Sequence, residues 1–578
     1  MPTLNWIGKD KVINHHAEVP FRVLEHKYGF RGDNPNDTSE THSGNKIIHG
    51  DNLEALKALL PEYEGKIDCV YIDPPYNTGN EGWVYNDNVN DPHICKWLGE
   101  VVGSEREDFS RHDKWLCMMY PRLRLLYQLL SQQGVIFISI DDNEYNNLKT
   151  ICDEIFSAKN YVKTFIWHTE GHTDNQDIIT SVHEYILCYA KEKSSVSFNH
   201  VVDPNIPDDS KIKRDFAENS ITKNGAKNPP VMIELPIGFP CEVNTLFVEA
   251  DKQANELIQD AKSQGFISRE ITKRYNISYP VRCDDMVVEN GQLVKPCNVF
   301  SGWMNNAKLQ KFIDNKCKPI EDKDTMVKFY LSKNGVIYYR RDGRNSRYIQ
   351  TVLNNMGTTE TNKYMIEKMG LSFDYPKPVE LIKYLISLQT RKGSIILDSF
   401  AGSGTTSHSV LALNSEIKDL NLKFILIELG DYAETLTAKR TKCAISGFGE
   451  KQDFTQGLGG SFDYYELGEP LFQKNGNINE GVGVEKMREY IYYTETHEHL
   501  THKQEKDYPY LLDYFNGIGY FFYYKPNEIT TLSHDTLNIV PKKADHYVIY
   551  ADVCSISSEQ LAQMNITFKK IPRDINRF

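Results

Sequence analysis

The chain has 578 residues, of which 40% are hydrophobic and 11% aromatic; it is too apolar for a disordered polymer and too long for one core, so two to four domains are expected. A formal charge of −13 argues against a uniformly basic nucleic-acid binder. No run of about 18 apolar residues occurs, the opening residues hold no signal-peptide core, and the 11 cysteines form no C-x-x-C pair; a membrane span, a disulfide framework and a zinc ribbon are therefore disfavoured, and a reducing, cytoplasmic setting is expected.

Residues 1–45 are polar, with Pro, Asn and Asp concentrated near 31–44, and read as an arm or loosely packed lead-in. From 46 strands and helices alternate: Lys46–Gly50 as a short strand, Asn52–Leu60 as a helix, Ile67–Ile72 as a buried strand. Apolar residues at 116, 119, 123, 126 and 130 give Lys114–Leu130 one helical face, with Gly134 closing the helix before the apolar strand Val135–Ile140. Continuous hydrophobic strands between helices imply an α/β fold with a mostly parallel sheet covered on both faces. This first half runs over 46–194.

The stretch 195–370 breaks the rhythm with short mixed runs and proline turns (Asn228-Pro229-Pro230, Leu235-Pro236, Phe239-Pro240) and reads as an inserted domain. Residues 191–370 carry 27 Lys and Arg against 23 Asp and Glu, a surplus of +4, which leaves −17 for the remainder. Within it Arg340, Arg341, Arg344 and Arg347 could track phosphates, or equally form a solvated basic turn. The alternation resumes over 371–479 with a helix at Val379–Leu388, a strand at Ser394–Ser399, a helix at Thr405–Leu413 and a strand at Lys423–Glu428. Beyond 480 the chain becomes aromatic-rich and mixed, as expected of a small α+β domain.

Two loops carry the chemistry. Asp73-Pro74-Pro75-Tyr76 ends the strand Ile67–Ile72. Adjacent prolines hold the chain extended and remove two backbone donors, leaving a carbonyl such as that of Pro74 free to accept from a ligand. Asp73 adds a second acceptor and Tyr76 a flat face, a set that suits an exocyclic amine on a base. Downstream, Phe400-Ala401-Gly402-Ser403-Gly404-Thr405 follows the strand Ser394–Ser399, which contains Asp398. Gly402 and Gly404 let backbone pass close to a ligand. A dinucleotide fingerprint would need a third glycine where Ser407 stands, and Glu428 comes 30 residues after Asp398. S-adenosylmethionine fits better, with Glu428 holding ribose hydroxyls. Both loops should lie at the carboxyl ends of one doubly wound sheet. No P-loop occurs, and His497-Glu498-His499 lacks the second histidine of a zinc helix, since Thr501 stands there; no metal is expected.

On these motifs the chain resembles β-class DNA amino-methyltransferases, most closely the modification (Mod) subunits of Type III restriction–modification systems. Asp73-Pro74-Pro75-Tyr76-Asn77-Thr78-Gly79 resembles the catalytic motif and Phe400–Thr406 the cofactor loop. The resemblance covers roughly 46–190 and 370–445 well and the insert loosely. It implies a seven-stranded methyltransferase sheet, circularly permuted in the β order, with an inserted target-recognition domain. It further implies Asp51 facing the cofactor adenine and Lys377, in Tyr375-Pro376-Lys377-Pro378, in the element preceding the cofactor loop. Phe137–Glu144 and His183–Leu187 are also similar to Mod-like segments. His168 and His172 would sit in a loop facing the base. The implied activity is transfer of a methyl group from S-adenosylmethionine to adenine N6 in double-stranded DNA, by a homodimer with a possible separate restriction/helicase subunit. A cytosine-N4 enzyme, or a recognition scaffold that docks a nuclease, are the alternatives.

Overall fold

The computed structural model describes residues 3–78, 108–169, 181–199, 216–322, 325–342, 349–449, 455–501, 508–540 and 544–573. The chain divides into two compact units, Met1–Asn199 with Gln350–Phe578, and His200–Ile349.

The first unit is built on a ten-stranded sheet. Its strands are β1 (Arg22–Arg31), β2 (Lys46–His49), β3 (Ile67–Ile72), β4 (Leu130–Ile140), β5 (Tyr161–His168), β6 (His183–Ala190), β7 (Val352–Leu353), β8 (Ile395–Asp398), β9 (Lys423–Glu428) and β10 (Ser461–Pro470). They lie in the order β1-β10-β2-β9-β8-β3-β4-β6-β5-β7. From β10 to β4 every neighbour is parallel; β6 runs antiparallel between β4 and β5. The sheet is thus mixed, and wider than the seven strands expected. β3, β8 and β9 are apolar runs buried at nearly every position, because helices cover the sheet. α1 (Asn52–Tyr63) and α2 (Asp108–Leu129) pack on each other, as do α4 (Val379–Ser387), α5 (Thr405–Glu416) and α6 (Lys439–Ser446) in their turn; α3 (Tyr145–Cys152) follows β4.

Several boundaries differ from the sequence reading. Residues 1–45 are not a loose arm: β1 pairs antiparallel with β10, Tyr28 stacks on Tyr464 with ring centroids 5.1 Å apart, and Val12 is fully buried. The Pro/Asn/Asp-rich stretch after β1 is irregular and contains a turn, whereas the charged residues along β1 belong to an edge strand. Gly134 lies inside β4 rather than capping a helix. A Cβ there would sit 2.7 Å from the Ile67 carbonyl oxygen, so glycine answers a close approach between strands. The insert is shorter than 195–370, since β7 pairs parallel with Ile166 and Trp167 of β5 and so belongs to the main sheet. A two-residue strand carries no periodicity to read.

The second unit contains two three-stranded sheets and one four-stranded sheet around a core that includes Ile233, Phe239, Phe312 and Phe329. The C-terminal stretch has its own four-stranded sheet, Leu511–Phe515, Ile518–Phe522, His546–Ala551 and Ile566–Lys570, but it is part of the first unit. Phe21 meets Tyr490 edge-on at 4.8 Å, and the Tyr493 hydroxyl donates to Glu64 at 2.5 Å. Its aromatics fill this interior: Tyr492, Tyr520, Phe521, Phe522 and Tyr524 are all buried. No described helix is long and apolar enough to cross a membrane.

Candidate active site

β3 and β8 are adjacent and parallel, in the register Ile396↔Cys69 and Leu397↔Val70. The chain leaves β3 toward β4 on one side and β8 toward β9 on the other, so the strand order reverses between them. Ligands of open α/β sheets bind at the carboxyl ends of such a reversal. Asp73, just after β3, and Asp398, the last residue of β8, flank it.

The loop after β3 is held from behind. Trp115 on α2 is fully buried and donates its indole N–H to the Pro75 carbonyl at 2.7 Å. Among the described residues nothing donates to the Pro74 carbonyl. The Tyr76 hydroxyl lies 2.9 Å from Asp73 Oδ1 and 2.8 Å from Glu184 Oε2, and its single proton can serve one of them at a time. The Lys377 ammonium bridges the same acids, 2.9 Å from Asp73 Oδ2 and 3.2 Å from Glu184 Oε2, with Nζ 4.9 Å from the Tyr76 ring centroid. Burial alone would lower the lysine, but Asp73 and Glu184 outweigh it and hold its pKa above the ordinary value. Burial, reinforced by the two acids, pushes the Tyr76 phenol well up, so it stays a neutral donor. Lys377, expected to bind the cofactor from the element preceding the cofactor loop, has its ammonium in the Asp73 cluster, while its carbonyl accepts from Thr405 Oγ1 at 3.3 Å. Sequence reasoning gave Glu184 no role. Its one signal is an acid opening an otherwise apolar strand, His183–Ala190.

The loop after β8 turns through two left-handed glycines, Gly402 at φ 51° and Gly404 at φ 80°. A Cβ on Gly404 would meet the Thr437 carbonyl oxygen at 3.1 Å, and α5 begins at the next residue, Thr405. Asp398 accepts from the Phe400 N–H at 3.0 Å and the Thr406 hydroxyl at 2.5 Å. Burial nevertheless pushes its carboxyl up to about 7. Glu428, at the end of β9, accepts from the Gly402 N–H at 2.6 Å and the Gly430 N–H at 2.9 Å, and burial raises its pKa too. The Tyr432 hydroxyl and the Leu429 N–H also engage this carboxylate, so a ligand hydroxyl would take the place of one of these donors. The Phe400 ring is buried in the main apolar cluster. Arg440 on α6 is fully buried and donates through Nη1 to Ser403 Oγ at 2.7 Å and Thr405 Oγ1 at 2.9 Å. Burial draws its guanidinium down to about 9. Nothing in the sequence marked this arginine, because it contacts hydroxyls across the fold rather than an acid at helical spacing.

Asp51 caps α1, its Oδ1 accepting from the N–H groups of Leu53 at 2.9 Å and Glu54 at 3.1 Å. His168 is the last residue of β5, not a loop residue; His172 lies outside the described residues. In the second unit the Arg340 guanidinium stacks 3.5 Å from the Phe216 ring centroid and pairs with Asp342 at 2.9 Å, while Arg341 Nε donates to Thr325 Oγ1 at 2.7 Å. Arg344 and Arg347 lie outside the described residues. Among the described residues no group of three His, Cys, Asp or Glu could hold a metal ion.

The model of the DNA methylase family matches residues 67–496. The chain is 30% identical over 440 residues to the Type III restriction-modification enzyme EcoPI Mod subunit of Escherichia phage P1, covering 72% of this chain and 61% of that protein. It is 29% identical over 450 residues to the EcoP15I Mod subunit of Escherichia coli, covering 74% and 64%. The Type II methyltransferase M.KpnI of Klebsiella pneumoniae is 26% identical over 398 residues, covering 67% of this chain and 82% of M.KpnI. The chain therefore spans less than two thirds of the length of the two Mod subunits. Among solved structures, the PvuII DNA methyltransferase (cytosine-N4-specific) aligns over 68% of this chain and 86% of its own, at 10% identity and a TM-score of 0.30.

Proposed function

Because the chain belongs to the DNA methylase family, we propose that it is a site-specific DNA methyltransferase that moves a methyl group from S-adenosylmethionine to the N6 amine of adenine. The carrying observation is the meeting of Asp73, the open Pro74 carbonyl and the Tyr76 face with the glycine turn on the neighbouring strand. The bound cofactor supplies an electrophilic methyl group on a sulfonium. The residues present fit it: Gly402 and Gly404 carry no side chain where the backbone would pass the ligand, Glu428 is a buried acceptor that ribose hydroxyls could engage in exchange for the Tyr432 hydroxyl, and buried acids suit a cationic ligand. Likeness to the family supports Asp51 and Lys377 as further cofactor contacts.

A base amine is stacked inside duplex DNA, so the target must be flipped out at a cost of a few kcal/mol. Tyr76 offers it a stacking face. Asp73 and the Pro74 carbonyl accept from its two N–H groups, which localises the nitrogen lone pair for in-line attack. As the nitrogen becomes positively charged, Asp73 stabilises that charge, so rate comes from positioning and acceptor electrostatics. In the resting state the Lys377 ammonium satisfies Asp73 and Glu184, and it must yield one Asp73 oxygen to the amine. Likeness to the Mod subunits supports the β order of motifs, the second unit as target reader, a homodimer, and a separate restriction subunit as partner in the cytoplasm.

Asp73→Ala tests the assignment. Methyl transfer should fall by at least about a hundredfold, the usual cost of one transition-state contact, while calorimetric cofactor affinity stays near wild type. Turnover within about tenfold of wild type would overturn it.

A further inference from the structure

The segment Asp141-Asp142-Asn143-Glu144 follows β4, the parallel neighbour of β3, so it leaves the sheet beside the Asp73 loop. Glu144 is fully buried. Its Oε1 accepts from the Asn77 side-chain amide and lies 2.6 Å from His112 Nδ1 on α2; its Oε2 accepts from the Asn147 amide at 2.8 Å. Asn77 is itself fully buried and holds a left-handed backbone, φ 61°. Asn enters this region more readily than other non-glycine residues, so the turn is available to the backbone and the amide contact to Glu144 is what anchors it. Asn77 directly follows Tyr76, and its turn sets where the loop leaves the site.

We propose that Glu144 is a positioning residue for methyl transfer: through Asn77 it fixes the turn that presents the Tyr76 ring and the Pro74 carbonyl to the target base. The proposal rests on the methyltransferase reading above. Glu144 is fully buried and acts through Asn77. It works as an acceptor-only hub for three donors, and no neutral side chain of its size can replace it. A glutamine would turn an N–H₂ donor toward either Asn147 or the Asn77–His112 pair.

The experiment measures single-turnover transfer of tritiated methyl from S-adenosylmethionine to genomic DNA, with cofactor affinity by calorimetry and Tm in parallel. Four proteins are compared: wild type, Glu144→Gln, Asn77→Gly and the double variant. Glycine adopts the left-handed turn freely, so Asn77→Gly removes the amide without adding strain. The single-turnover rate should fall about tenfold to a hundredfold in each single variant, as expected for a small misplacement of reacting groups. Cofactor affinity should stay within about twofold, and the double variant should be no slower than the slower single one, because the two residues act as one unit. A Glu144→Gln rate within about twofold of wild type overturns the proposal, as does a loss of cofactor affinity equal to the loss of rate, which marks a merely structural contact. A wild type that transfers no methyl group to DNA removes the methyltransferase reading itself, and this proposal with it.

Discussion

Asp398 holds its proton to about pH 7 in the folded chain because burial outweighs its two hydrogen-bond donors. An unfolded aspartate loses its proton near pH ~4. Between those values the folded state binds the proton more tightly, so raising the pH from ~4 to ~7 costs stability, and above 7 no further cost accrues from this group. Asp398→Asn carries no such charge, and should narrow the Tm difference between about pH 5 and about pH 8. Thermal unfolding at both pH values checks this; an unchanged difference would contradict it. At this scale legibility followed chain proximity. Asp73–Tyr76 and Gly402–Gly404 are contiguous motifs whose chemistry is visible in the residue string. Glu184, Lys377, Glu144 and Arg440 each reach side chains far along the chain, as in Arg440 to Ser403 and Glu144 to His112. No local pattern carries such a pairing.

At the scale of elements, β3 and β9 have the bounds that their apolar runs give in the sequence, while β1, β7 and β10 were missed or misplaced. β1 and β7 lie at the two edges of the sheet, and β7 is two residues long, so each owes its existence to a partner elsewhere in the chain and neither alternation nor a hydrophobic run reveals it; β10, between β1 and β2, is interrupted by Asp463, Glu466 and Gly468. The C-terminal sheet shows the same dependence. Arg573, which follows the last strand, is buried and pairs with Glu480 at 2.6 Å and Asp552 at 3.3 Å. It also donates to the carbonyls of Lys525 at 2.9 Å and Glu528 at 3.2 Å. Its removal would leave the fully buried Asp552 without its cation. Arg573→Ala should therefore destabilise by about 3 kcal/mol, the cost of breaking a buried pair from one side. Denaturant unfolding measures it, and a loss under about 1 kcal/mol would contradict the role. The aromatics of this region occupy their own interior, so their abundance is no argument for an interface.

At the scale of the molecule, the α/β alternation and the insertion were legible because a parallel sheet needs continuous apolar strands, and a break in that rhythm is visible. The limits of the insert were not, since 350–370 returns to the main sheet through a strand too short to read. On the proposed reading, the two loops at the strand reversal receive an amine on a flipped base. The most direct test is to incubate the purified chain with unmodified genomic DNA and S-adenosylmethionine and map modified bases by long-read sequencing, with Asp73→Ala alongside. N6-methyladenine confined to one short recognition sequence, and absent with the variant, is the expected result. N4-methylcytosine instead, or no modified base from a protein that binds the cofactor, would contradict it.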